Sequence, residues 1–208
     1  MTSTNEHPGA AEIIAVARLW LERAVIGLNL CPFAKSVYVK EQVRYAVSSA
    51  RTVDEVLDDL TRELDVLVAA DPLQVETTLL ILPQALQNFA DFADFLDLVE
   101  VTLKVQGITG TLQVASFHPQ YQFADAEEND ISNYTNRAPY PILHLLREAS
   151  LARAIRHHPD PSRIYQENMV TLNALGLEGW HALGVGAPSG TDSEQISAAP
   201  RDKEKSHR

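Results

Sequence analysis

The sequence predicts an α/β fold: a small parallel three-stranded sheet with crossover helices, and an N-terminal helix and C-terminal helices packed around it. Three short apolar runs, Val43–Ser48, Thr77–Leu82 and Leu112–Phe117, predict the strands. The stretches between them have helical periodicity, and strand–helix–strand connections of this length join parallel strands in the right-handed sense. At 208 residues and 45% hydrophobic composition, the chain suits one domain with a full core.

Residues 1–10 are polar and expected to be disordered. From Ala11 to about Leu28 the residues Ile14, Ala17, Leu21, Val25 and Leu28 recur at helical spacing, with Arg18 and Glu22 four apart on another side. Pro32 disfavours helical geometry at Cys31, so the helix ends before it. Thr52, followed three residues later by Glu55, is a capping-box pattern in which hydroxyl and carboxylate satisfy free backbone donors. Val56, Leu57, Leu60, Leu64 and Leu67 form the apolar face behind it, and Asp71-Pro72 ends the helix. Thr77–Leu82, bounded by Pro83, reads as a strand buried on both faces. Asn88 caps the next helix, in which Phe89, Phe92, Leu96, Val99 and Leu103 share a face. After the third strand and a long polar loop, Pro141 fits the first position of a helix with Ile142, Leu145, Leu146 and Ala149 inward. A last helix is expected from about Ser162 to Leu175, ended by Gly176. Residues 11–185 make the single domain, and 186–208, rich in Gly, Ser, Pro and alternating charge, read as a disordered tail.

A net charge of −11 argues against a nucleic-acid partner, which requires clustered Lys and Arg. Cys31 is the single cysteine, so no intramolecular disulfide and no cysteine-rich zinc knuckle can form, as suits a reducing cytoplasm. The N-terminus lacks the pattern of a signal peptide, and no apolar run approaches the roughly 20 residues of a membrane span. A cytoplasmic protein is expected, with no membrane partner. There is no Gly-rich phosphate loop and no serine elbow, so no common motif names a cofactor.

The densest chemistry lies between Phe117 and Glu148. Ligands of open parallel sheets bind beyond the carboxyl ends of the strands, here Ser48–Thr52, Leu82–Gln87 and His118 onward. His118 is the candidate acid/base or a metal ligand; the plainer alternative is that it pins the Pro119 turn by a backbone hydrogen bond. Arg137, stiffened by Pro139 and Pro141, suits a carboxylate or phosphate, or else pairs with Asp125, Glu127, Glu128 or Asp130. Tyr121, Asn133 and Asn136 are candidates for orienting a substrate. On the expected helix His144, Arg147 and Glu148 share a face: Arg147 is a further ligand-binding candidate, and His144 and Glu148 with His118 form a candidate metal set. Cys31 is either a nucleophile paired with His118, its pKa lowered by Lys35, or a small core residue. His157, His158, His7, His207 and His181 have no evident partner.

The helix leading to NLCPFA (Asn29–Ala34), with FHPQYQF (Phe117–Phe123) and NRAPYPILHLLRE (Asn136–Glu148), resembles a bacterial family of uncharacterised proteins, the domain of unknown function numbered 1415. The similarity spans roughly residues 11–182. It implies a bacterial origin and a single stand-alone domain, and no established activity or catalytic residue. From the residues, the leading expectation is an enzyme acting on a small polar or anionic metabolite at the carboxyl rim. The alternatives are a non-catalytic metabolite- or divalent-metal-binding module, and a structural or partner-binding domain.

Overall fold

The computed structural model describes residues 8–156, 160 and 163–186. Helix α1 (Ala10–Trp20) continues into a π-helical segment, Leu21–Ile26, and a short helix α2 (Ala34–Val39) follows. Then come β1 (Val43–Val47), α3 (Val53–Ala69), β2 (Thr77–Ile81), α4 (Phe89–Val105) and β3 (Leu112–Phe117). A 3-10 turn (Ile131–Thr135) interrupts the long loop before β4 (Ile142–Arg147), α5 (Glu148–Arg156) and α6 (Ile164–Ala182).

The local signals for α3 and α4 are realised in atoms. Thr52 Oγ1 accepts from the Glu55 N–H at 3.3 Å while the Thr52 N–H donates to Glu55 at 3.1 Å, the reciprocal capping box. Asn88 Oδ1 accepts from the Ala90 N–H at 2.8 Å. In α6 the helical path breaks at Gly176 (φ 66°, ψ 175°), a conformation that glycine adopts at no steric cost, and resumes through Ala182. The expected disordered segments, 1–10 and 186–208, fall mostly outside the described residues, as do His7, His157, His158 and His207.

The sheet corrects the expected topology. It has four strands in the order β1-β2-β4-β3 among the described residues, and it is mixed rather than parallel. β1 and β2 pair in parallel, whereas β4 runs antiparallel to both β2 and β3. The three expected strands therefore point the same way, but β4 is inserted between two of them. Residues 142–147, expected as helix, supply that strand. Their near-continuous apolar run serves both faces: Ile142 joins the core on one side, Leu143 and Leu145 the core on the other. Pro141 precedes the strand, and its carbonyl accepts the Leu82 N–H at 2.9 Å. Apolar residues at helical spacing also occur in such a run, and only hydrogen bonding to both β2 and β3 decides between the readings.

Three layers result. α1, the π-helical segment and α6 pack with Leu79, Ile81 and Ile142 on one face. α3 and α4 pack with Leu80, Leu82, Leu143 and Leu145 on the other. Among the described residues no helix is long and apolar enough to cross a membrane.

Candidate functional site

His118, Asn133, Asn136 and Arg137 of the long loop are engaged with the chain itself. His118 is fully buried against Phe89 and Phe92 of α4, with ring centroids 5.4 and 5.1 Å away. Its Nδ1 accepts the Gln120 N–H at 3.0 Å, and the other ring nitrogen, Nε2, donates to the Leu86 carbonyl at 3.1 Å. Leu86 holds φ at 53°, a left-handed conformation unfavourable for a non-glycine residue, and the His118 bond helps to hold its carbonyl in place. Burial pushes the His118 pKa down, partly offset by hydrogen bonds at the Leu86 and Gln87 backbone. A neutral ring that donates at Nε2 and accepts at Nδ1 fits both contacts.

Asn133 is also fully buried: its Oδ1 accepts the Phe123 N–H at 3.0 Å, and its amide donates to the carbonyls of Glu127 and Glu128. Asn136 donates to Ser116 O at 3.2 Å. Arg137 Nε donates to Tyr121 O at 3.3 Å and Nη2 to Glu128 O at 2.8 Å, and the guanidinium lies 4.4 Å from the Tyr134 ring centroid. Tyr121 packs its ring on Phe89 and Phe123. Thus Arg137 contacts backbone carbonyls here, where a pairing with Asp125, Glu127, Glu128 or Asp130 side chains was the plainer expectation. Arg137→Ala is expected to lower stability by about 1–2 kcal/mol, the scale of two hydrogen bonds from a charged donor on a partly exposed loop. Limited proteolysis should then cut residues 121–130 faster than in the parent.

His144 and Arg147 do not share a helix face; they lie three positions apart on strand β4, and both line one cavity. Arg147 reaches the end of α3, where Nη2 donates to Leu67 O at 2.6 Å, Ala70 O at 2.8 Å and Val75 O at 3.2 Å. Glu148 opens α5, and its N–H donates to Thr111 O. His144 lies on the face of Phe117, 6.1 Å between ring centroids, while His118 packs among the α4 aromatics on the opposite face. Among the described residues no group of three or more His, Cys, Asp or Glu side chains could hold a metal ion, so His118, His144 and Glu148 are not brought together as one.

A cavity of about 670 Å³ lies instead on the α1 face. Its lining includes Trp20, Val25, Phe33, Leu79, Phe117 and Leu146, and it collects Gln42, Val43, Glu76 and Thr77 at the amino-terminal ends of β1 and β2, away from the carboxyl rim. Of the candidate residues, Cys31, His144 and Arg147 line it; His118 and Arg137 do not. Cys31 is positioned by the turn after the π-helical segment, where Asn29 takes φ 55° and the Asn168 amide donates to Leu30 O at 2.9 Å. Burial raises the Cys31 pKa, with the Phe33 and Ala34 N–H groups acting weakly against it, so the group is a thiol at neutral pH. A smaller cleft of about 430 Å³ lies at the carboxyl rim, lined by Arg51, Thr52, Leu86, Gln87, Asp91 and others.

The residue that sequence reasoning passed over is Thr77. It is buried, and its Oγ1 lies 2.6 Å from Leu145 O and 2.8 Å from His144 Nε2 on the cavity wall. The available signal was a threonine at the start of a strand buried on both faces, since a buried hydroxyl favours a partner.

No curated protein and no solved structure matches the chain. Residues 12–182, nearly all of the described part, match a family described as protein of unknown function (DUF1415), and the chain belongs to that family.

Proposed function

We propose that this protein is a small-molecule-binding domain whose ligand occupies the cavity on the α1 face. The observation that carries the reading is the cavity itself: about 670 Å³, apolar over most of its lining, with few polar side chains. That size and composition are typical of sites for small organic molecules. The exposed Lys40 and Arg153 are among its lining residues. The thiol of Cys31 supports a binding role over nucleophilic catalysis, because the thiolate is the reactive form. A net charge of −11 favours a small molecule over a nucleic acid as partner. The single cysteine and the family resemblance support a bacterial, cytoplasmic setting.

The test is thermal denaturation with a panel of small apolar molecules, on the parent and on Ala115→Phe, which fills the cavity from β3. At about a hundred times Kd, binding stabilises the parent by about 2.7 kcal/mol, a rise in melting temperature of roughly 5–10 °C. The filled variant, folded by circular dichroism, should show no rise. A parent that no member of the panel stabilises would remove this reading.

A second reading, an enzyme acting on a small polar or anionic metabolite at the carboxyl rim, is favoured by the cleft beside Arg51. In that reading His118 acts by fixing the Leu86 carbonyl in the cleft wall. Stabilisation by anionic metabolites that disappears in Arg51→Ala would select it.

A further inference from the structure

The Thr77–His144 contact fixes the position of the ring proton on a side chain that lines the cavity. Thr77 Oγ1 has one hydrogen and two close neighbours, Leu145 O at 2.6 Å and His144 Nε2 at 2.8 Å. Neither separation is tolerable between two lone pairs, so each needs a hydrogen between its atoms. A carbonyl cannot supply one. The hydroxyl hydrogen therefore goes to Leu145 O, and the hydrogen toward His144 must come from the imidazole, which places the ring proton on Nε2. Nδ1 is left as a bare acceptor. It has no hydrogen-bond partner among the described residues, nor is it one of the buried, unpartnered atoms closed off from accessible space. The space that His144 lines is the cavity. The ring stays in this form at neutral pH, because burial pushes the pKa of His144 down to about 4.

Resting on the binding reading above, we propose that the cavity selects a neutral ligand with an apolar body and one hydrogen-bond donor, an alcohol or phenol, which donates its O–H to His144 Nδ1. The donor requirement follows from the acceptor: a carboxylate or an ether oxygen would set lone pair against lone pair, leaving a buried acceptor unsatisfied on each side. The body of the ligand would lie against Trp20, Leu79, Phe117 and Leu146, which line the same cavity.

The experiment is calorimetric titration of the full chain with 4-propylphenol, 4-propylanisole and 4-propylbenzoate at pH 7. The first two probes share nearly the same apolar body and differ in the hydrogen. The phenol is expected to bind about tenfold more tightly than the anisole, the worth of one net hydrogen bond. Replacing His144→Leu should bring the two to equal affinity. Equal binding of phenol and anisole by the parent, or tighter binding of the benzoate, overturns the donor proposal while leaving the cavity as a binding site. No binding by any of the three overturns the cavity reading for this class and the proposal with it. Because His144→Leu can disturb the sheet, ring-nitrogen NMR of the parent gives an independent readout. An unprotonated Nδ1 that shifts with the phenol and not with the anisole is expected; a protonated Nδ1 refutes the argument.

Discussion

Replacing Arg147 with alanine should lower the stability of the fold by about 3 kcal/mol, the largest effect expected from a single polar substitution here. Arg147 ends β4, and its Nη2 group serves three carbonyls, Leu67 and Ala70 at the end of α3 and Val75 just before β2. The last carbonyls of a helix have no partner within it, and Leu67 is itself fully buried. Removing the guanidinium leaves acceptors that water reaches poorly, and uncouples the end of α3 from the sheet. For a domain of this size, 3 kcal/mol corresponds to a fall in melting temperature of roughly 6–12 °C. Arg147→Lys should recover part of the loss, because an ammonium keeps the charge and donors but not the planar fork. Chemical denaturation of the three proteins checks this. An unchanged midpoint in the alanine variant, with ligand affinity lost, would instead make Arg147 a ligand contact.

Acidification from pH 7 to about pH 4 should lower stability by about 2–3 kcal/mol, mainly through His144. The ring is neutral in the folded protein, with its pKa pushed down to about 4 by burial. In the unfolded chain a histidine titrates near pH 6.5. Between these values the unfolded state binds the proton and the folded state does not, so stability falls as pH drops, at up to about 1.4 kcal/mol per pH unit. Above pH 7 both states are neutral and the contribution vanishes. His118, also shifted down by burial, acts in the same direction. Glu55 and Asp130, held lower by the backbone N–H groups of Arg51 and Ser132, also lose stabilisation as pH falls, in the same direction. Urea denaturation at pH 7.5, 6, 5 and 4.5 reads the slope, and His144→Leu should flatten most of it. A parent with no slope between pH 6.5 and 4.5 would mean that the ring protonates freely in the folded state.

These two expectations come from side chains whose roles the sequence suggested differently. By spacing alone, His144, Arg147 and Glu148 fall on one helix face. The run from Ile142 to Leu146 fits a helix stripe and a doubly buried strand about equally, and only pairing with β2 and β3 separates them. By residue type, His118, Asn133, Asn136 and Arg137 suit a ligand. Their donors and acceptors meet backbone groups of residues 86–128 instead. A long loop presents unpaired N–H and C=O groups that ask for the same chemistry as a ligand would. Side-chain type alone cannot tell the two apart.

What the sequence determined by itself was local. The caps at Thr52 and Asn88 and the break at Gly176 follow from residues near one another in the chain. Caps, turns and apolar periodicity act over one or two helical turns or a single strand, so they are legible there. The insertion of β4, the cavity shared by Cys31 and His144, and the proton position on that ring were decided by the tertiary structure. Each depends on atoms far apart in sequence: Thr77 commits its hydrogen to Leu145 because strand pairing brings them together, and a cavity is the space that packed elements fail to fill.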